Sequence, residues 1–368
     1  MRAVAPTRVL PDYAGSCVSN VVPALTLHHD IGRGWVPDDV LRARQVVLLV
    51  LDGLGWEQLS ARLELAPTLA AMRGAAITTV APSTTATALT SLTTGTTPGE
   101  HGVVGYRIRT GGEILNTLRW TTAAGDARER LDPSAFQPLR PFAGQQPVVI
   151  SRAEFAGSGF TIAHLRETQL VGYWSTSSIA LEVRTALDRG DRLVYAYYDG
   201  IDKVAHASGL GQHYDHELAF ADRLVAEVLA ALPPGAALVV TADHGQVEVG
   251  ERHRPLHEDV MALATAISGE ARFVWLHAVG ARAGELAATA EAHHGATAWV
   301  CPVEQVLDEG WFGRAMTSAA RARLGDVAIV ARSEVSFHRP GDPGPLLAGR
   351  HGSLTAAEML VPLLSAVA

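Results

Sequence analysis

The chain has 368 residues, 48% of them hydrophobic, and a formal net charge of −8. That apolar content supplies a large core, in one big domain with an insertion or in two domains, and marks a globular protein. The acidic balance argues against a broad electrostatic surface for nucleic acid but stays compatible with a small anionic substrate, because bound dications dominate a local field whatever the overall charge.

The N-terminal segment MRAVAPTRVLPDYAGSC has no continuous apolar stretch of secretory length, and nothing later reaches membrane-spanning length. A cytoplasmic protein without a membrane segment is expected. Cys17 and Cys301 are too few for a disulfide framework and stand apart from the motifs below. The first predicted strand, VVLLVL at 46–51, lacks polar alternation, as a strand buried on both faces should, and runs into Asp52 and Gly53. A hydroxyl-rich helix, TATALTSLTTG, follows Pro82 and Ser83 and ends at Gly95. Its Ser83, Thr84, Thr85 and Thr87 would by themselves read as a helix cap. From Tyr106 to about Ser178 an insertion is expected: RIRTGGEILNTLRW reads as a hairpin around Gly111 and Gly112. Trp120, Phe136, Phe142, Phe155, Tyr173 and Trp174 then either pack this insertion or cap a site.

A second buried strand, RLVYAYY at 192–198, leads to Asp202 and, four residues on, His206. The helix expected over 213–232 places Leu218, Ala221, Leu224, Val225, Val228 and Leu232 on one stripe, and Pro233 and Pro234 stop it. The third apolar strand, ALVVTA at 237–242, ends at Asp243, His244 and Gly245. Residues 256–347 read as an α+β insertion: ARFVWLHAV, TAWVC and DVAIVA as strands, ARAGELAATAEAHHG and PVEQVLDEG as helices. RPGDPGPLLAGRHG then returns the chain as a Pro/Gly-rich loop carrying His351. The expected division is a catalytic core over 1–255 with a substrate cap at about 106–178, the 256–347 insertion, and a C-terminal return over 348–368. The fold class is α/β, with a mainly parallel central sheet flanked by helices. Its strands deliver acidic and imidazole groups beyond their carboxyl ends, where open α/β sheets bind substrates.

Asp52, Asp202, His206, Asp243, His244 and His351 are carboxylate and imidazole donors of the kind that suit zinc, with manganese or iron as substitutes. Singly, most have plainer explanations. Asp52 before a glycine is an ordinary turn residue, and His351 an ordinary loop histidine. The Asp243-His244-Gly245 run is stronger, because two ligand types and a glycine at the end of a buried strand have little reason to coincide. His101 is expected to support the fold, and His253 and His257 to be loop groups.

Together, the segments at about 46–106, 193–250 and 350–364 resemble the alkaline phosphatase superfamily, in its nucleotide pyrophosphatase/phosphodiesterase branch. The resemblance implies an alkaline-phosphatase-like core with two zinc ions, one held by Asp202, His206 and His351, the other by Asp52, Asp243 and His244. It also implies a threonine nucleophile that coordinates the second ion, and counting back from Gly95 selects Thr85 rather than Thr84. The implied activity is hydrolysis of phosphodiester or nucleotide pyrophosphate bonds in a small substrate through a phosphothreonine. Family members often carry an asparagine after the His-Gly pair, where its amide helps to bind a phosphoryl oxygen; here Tyr106 stands there. Tyr197 matches a base-stacking tyrosine of the family, although a buried strand tyrosine is an equal reading. Neither cysteine lies in the Cys-x-Pro-x-Arg context of sulfatases. A phosphomonoesterase, a phosphonate hydrolase, or a metal-binding protein without turnover are the alternatives on this scaffold.

Overall fold

The computed structural model describes residues 7–26, 30–341 and 346–368. Residues 1–6 of the N-terminal segment and 342–345 of the Pro/Gly-rich return lie outside the described residues. Seven strands form the central sheet: β1 (Val46–Leu51), β2 (Arg73–Thr78), β3 (Val148–Arg152), β4 (Gln169–Tyr173), β5 (Leu193–Tyr198), β6 (Ala237–Thr241) and β7 (Leu360–Val367). Their spatial order is β2-β7-β6-β1-β5-β3-β4. The run from β6 to β4 is parallel, and β7 is antiparallel to both of its neighbours. The sheet is thus mainly parallel in a mixed α/β fold. Every residue of β1, β5 and β6 is buried, which explains why their sequences are apolar runs without alternation.

Register decides what happens at the sheet's edge. Val46 of β1 lies opposite both Leu193 of β5 and Ala237 of β6, so the three strands start level and end level. Asp52, Asp199 and Asp243 therefore leave the sheet side by side.

Three helices matter for the site: α1 (Thr85–Thr94), α2 (Gly200–Ser208) and α3 (Gln212–Ala230). All ten positions of α1 are buried although five of them are threonine. Burial of so many hydroxyls is tolerable because Thr90, Thr93 and Thr94 donate back to the carbonyls of Ala86, Leu89 and Thr90, at 2.7, 2.9 and 2.6 Å. Gly95 ends α1 in the left-handed region, with φ 69°. On α3, Leu218, Ala221, Leu224, Val225 and Val228 are buried, the stripe expected from their spacing.

Residues 264–331 contain a separate four-stranded antiparallel sheet, ordered Ala264–Glu270, Phe273–Ala278, Val327–Ala331 and Ala298–Pro302. Ala264–Glu270 was not expected as a strand. Its sequence, ATAISGE, has a single large apolar residue, and it is held by pairing with Phe273–Ala278 instead of by its own pattern. Arg272, at the turn of this hairpin, is fully buried with Glu358 in a two-pronged ion pair of 2.7 and 2.8 Å. Glu358 also accepts from the Ser353 amide at 2.9 Å, two residues after His351. The insertion is thereby tied to the returning loop. Within 106–178, β3 and β4 are strands of the central sheet, and the segment between them, with Phe155 and Phe160, joins the cavity wall. The 107–110 and 113–116 strands form the expected hairpin.

Candidate active site

Asp52 and Asp243 face each other at the ends of β1 and β6 and are almost completely buried. Asp243 Oδ1 accepts from the Gly53 and His244 amides, both at 3.1 Å. Asp52 Oδ2 accepts from the Tyr197 hydroxyl. The remaining oxygens, Asp52 Oδ1 and Asp243 Oδ2, have no hydrogen-bond partner among the described residues. They lie 3.5 and 3.4 Å from His244 Nε2. Burial, and then the nearby carboxylates of Asp243 and Asp202, push the Asp52 carboxyl well above its ordinary range; burial also raises Asp243. Two orphaned carboxylate oxygens beside an imidazole nitrogen form a donor set that a cation would satisfy, and a cation would reverse the repulsion that raises these carboxyls.

The three histidines are oriented in the same way. His206 Nδ1 donates to the Gly349 carbonyl at 2.7 Å, His351 Nδ1 to Ser83 at 2.9 Å, and His244 Nδ1 to Gly245 at 3.1 Å. A carbonyl only accepts, so Nδ1 carries the proton in each ring and Nε2 presents a lone pair. Asp202 and His206 lie one turn apart on α2, which puts both on one helix face. Asp202 Oδ1 is 3.3 Å from His206 Nε2 and 3.7 Å from His351 Nε2. It also accepts from Gln246 Nε2 at 2.6 Å. Burial first, then His244 and His206, hold the His351 imidazole far below its usual pKa and so neutral. The His244 and His351 rings stack at 3.5 Å and 9°. The ligand atoms of Asp202, His244 and His351 lie within 4.8 Å of one another, as do those of Asp52, Asp243 and His244.

Thr85 is the first residue of α1, and its hydroxyl sits 3.1 Å from His244 Nε2. Because that nitrogen is the unprotonated one, Thr85 is the donor. Thr84 precedes α1 and lies near Glu270 of the insertion, whose carboxyl burial raises to about 8. The neighbouring Thr78–Thr79 region is anchored separately, with Thr79 donating to the Asp243 carbonyl.

A cavity of about 210 Å³ opens beside Asp52, Thr85 and Asp202. Tyr195, Tyr197, Phe155, Phe160, Leu89 and Leu118 supply much of its wall, with Lys203 and Asp199 among the polar groups. Tyr195 and Tyr197 share a face of β5 and both line it, while Tyr198 points the other way to Glu217. Of the aromatic residues in 106–178, Phe155 and Phe160 line the cavity, whereas Trp120 and Phe142 are fully buried and Trp174 is 90% exposed. Tyr106 is not among the lining residues; its hydroxyl accepts from the Asn116 side-chain amide at 2.7 Å. His101 is buried away from the cluster, with Nδ1 accepting from the Val103 amide at 3.0 Å and Nε2 donating to Ser91 at 2.8 Å. Burial lowers its pKa to about 3. His253 contacts Ser336 at 2.6 Å, and His257 caps the helix at Glu258–Ala262. Sequence reasoning missed Gln246 and Ser83. Gln246 stands two residues past His244, and only the fold turns its amide onto Asp202.

The level strand ends and the buried carboxylate–imidazole cluster define an α/β protein built around a candidate metal centre. Residues 46–354 match the model of the family described as Type I phosphodiesterase / nucleotide pyrophosphatase, and the chain belongs to this family. It is therefore a phosphoester hydrolase of a metal-dependent family. Among solved structures, the chain is similar to murine ectonucleotide pyrophosphatase / phosphodiesterase 5, at 17% identity over 87% of each chain and a TM-score of 0.64. An inactive threonine-to-alanine form of that murine protein in complex with AMP gives 17% and 0.62, again over 87% of each chain. Phosphonoacetate hydrolase from Sinorhizobium meliloti 1021, in complex with phosphonoacetate, gives 18% identity and 0.66, over 88% of this chain and 90% of that one. No curated protein sequence matches. No helix among the described residues is long and apolar enough to cross a membrane.

Proposed function

We propose that this protein hydrolyses phosphodiester or nucleotide pyrophosphate bonds in a small substrate, with Thr85 as nucleophile, two zinc ions as cofactors and a phosphothreonine intermediate. The observation that carries the reading is the Thr85 hydroxyl at 3.1 Å from His244 Nε2, beside the unpartnered oxygens of Asp52 and Asp243. Asp52, Asp243, His244 and the Thr85 hydroxyl would hold one ion, and Asp202, His206 and His351 the other. Two donor clusters support two positions, Asp52 with Asp243 and His244, and Asp202 with His244 and His351, and His206 Nε2 lies 3.3 Å from Asp202 Oδ1 beside the second. Bound there, the ions would supply the positive charge that acidifies a threonine hydroxyl and stabilises a departing oxygen; manganese or iron would be substitutes.

The chain's own groups account for the rest. Thr85 Oγ1 forms a bond to phosphorus as the bond to the leaving oxygen breaks, and water later cleaves the phosphothreonine at phosphorus. Backbone amides of the first turn of α1 lack partners within the helix and suit a phosphoryl oxygen. Phe155, Phe160 and Tyr197 offer an apolar wall to the substrate's organic group, which a diester or pyrophosphate carries and inorganic phosphate lacks. In this reading, the segment at about 106–178 caps the site, with Leu118, Phe155 and Phe160 among the groups it brings to the cavity wall, 256–347 is an α+β insertion that braces the His351 loop, and the protein is cytoplasmic, without stable nucleic-acid binding. A phosphonate hydrolase is the second reading, supported by the likeness to the phosphonoacetate-bound enzyme.

The test compares kcat/KM for an aryl phosphodiester and an aryl phosphate with the same leaving group, with metal content measured on the same preparation. Preference for the diester with about two zinc ions per chain is expected from two sets of three protein donors. Clear preference for the monoester moves the assignment to a phosphatase. Activity indifferent to exhaustive chelation removes the metal mechanism.

A further inference from the structure

Thirty residues are lysine or arginine, and one of them alone is lysine: Lys203. Every other cationic side chain in the sequence is arginine. The exception stands directly after Asp202 on α2 and lines the cavity shared by Asp52 and Thr85. Its Nζ is 2.6 Å from Asp199 Oδ2, and it lies 6.0 Å from the centre of the Phe155 ring. Asp199 is buried, and its other oxygen is 3.5 Å from Arg152, which in turn pairs with Glu154 at 2.7 Å. The Lys203 side chain is 50% exposed. Asp199 thus anchors an ammonium whose remaining N–H donors are open to the cavity.

The electrostatics of the cavity make that placement consequential. Asp52, Asp199 and Asp202 line it, and the other basic group in its wall, His164, has its pKa lowered to about 4 by burial and is neutral. Lys203 is the one lysine or arginine among the lining residues. An anion bound in this cavity beside the scissile phosphorus would meet these carboxylates unless this ammonium receives it. A compact charge on a flexible four-carbon stem suits the task. The planar fork of arginine is bulkier and prefers two-pronged partners.

We infer that Lys203 is a specificity-determining residue that pairs with a second anionic group of the substrate, a phosphate or a carboxylate beyond the phosphorus under attack. The inference rests on the hydrolase reading and narrows its substrate class to compounds with at least two anionic groups.

The sole lysine makes the test clean. Lys203 in the metal-loaded enzyme is acylated with acetic anhydride, and the rate is read by peptide mass spectrometry. Inorganic pyrophosphate, phosphonoacetate, or chloride at matched ionic strength is present in parallel arms. Slowing of at least about threefold by pyrophosphate or phosphonoacetate, relative to chloride, is expected, and the more protective arm distinguishes phosphate from carboxylate. Equal rates in all arms overturn the inference. Turnover is measured separately with Lys203→Met and Lys203→Arg. The ratio of kcat/KM for a doubly anionic substrate to that for a singly charged diester is expected to fall at least about tenfold in Lys203→Met, mostly through KM, with partial recovery in Lys203→Arg. An unchanged ratio overturns it. Protection of Lys203 in an enzyme that cleaves none of these esters would leave the anion site standing and remove the hydrolase reading.

Discussion

Replacing Tyr197 with phenylalanine deletes one oxygen from the wall of the site and leaves the ring in place. That oxygen donates to Asp52 Oδ2 in a buried setting, and burial keeps the phenol protonated far above the normal tyrosine range. A hydrogen bond to a charged acceptor contributes about 1.5–3 kcal/mol. Loss of a group that orients a metal ligand lowers affinity about 10–100-fold, equivalent to about 1.4–2.7 kcal/mol, so the two routes agree. The sign with pH follows as well. Tyr197 is a group that holds the Asp52 carboxyl down against burial and its acidic neighbours. Without it the carboxyl rises further, protons compete better with the cation, and half-loading with zinc moves to higher pH. The assay is a zinc titration of stripped Tyr197→Phe protein against a chromophoric chelator at several pH values. Affinity within about twofold of the parent at every pH, or a midpoint that moves down, would refute the reasoning.

On the proposed mechanism, Thr85→Ala should reduce turnover at least about 10³-fold while the metals stay bound, because it removes the attacking oxygen and no carboxylate or imidazole; Thr84→Ala is milder. Trapping of labelled phosphoenzyme checks this, and label retained in Thr85→Ala but lost in Thr84→Ala would reverse the assignment. Arg272→Met leaves the buried Glu358 carboxylate with the Ser353 amide and the Thr355 hydroxyl as its partners, and should destabilise the fold by about 3–5 kcal/mol in urea denaturation. Adding Glu358→Leu should recover much of that loss, whereas equal stability of Arg272→Met and the parent would show the ion pair to be dispensable. The buried histidines should make acid weaken the fold between pH 6.5 and 4. His101 and His164, lowered by burial to about 3 and about 4, stay neutral when folded but take up protons when unfolded, so their contribution falls with pH in that window, while the carboxyls of Asp52, Asp243 and Glu270, which burial raises, work in the opposite direction. Denaturant midpoints of the parent and of His164→Gln at stepped pH isolate the histidine contribution, and a parent midpoint that does not fall relative to the variant's towards pH 4 contradicts the sign.

Much of the core was legible because buried parallel strands write themselves as uninterrupted apolar runs: VVLLVL, LVYAYY and ALVVT are β1, β5 and β6. The stripe of α3 and the glycine that ends α1 were legible for the same reason, since period and cap are local properties. Local pattern also flagged Asp52, Asp202, Asp243, His206, His244 and His351 as candidate donors. What it could not say was that they meet. The strand Ala264–Glu270 and the membership of β3 and β4 in the central sheet depend on partners far along the chain, and their own patterns are weak.

The site shows the same division in single side chains. Alternation along β5 put Tyr195 and Tyr197 on one face, but which group the Tyr197 hydroxyl meets, 145 residues away, was settled by the level register of β1 and β5. Choosing Thr85 over Thr84 rested on a count from Gly95. In the fold, the Thr85 hydroxyl faces His244, while Thr84 stands just outside the helix as its cap position. His101 is a histidine like His244 in side-chain chemistry and was expected to support the fold, and packing closes both its nitrogens onto Val103 and Ser91. Sequence thus determined which residues are able to donate, because donor chemistry belongs to each side chain. Tertiary structure decided which lone pairs stay free and point at one another, because that depends on contacts between residues that are neighbours only in space.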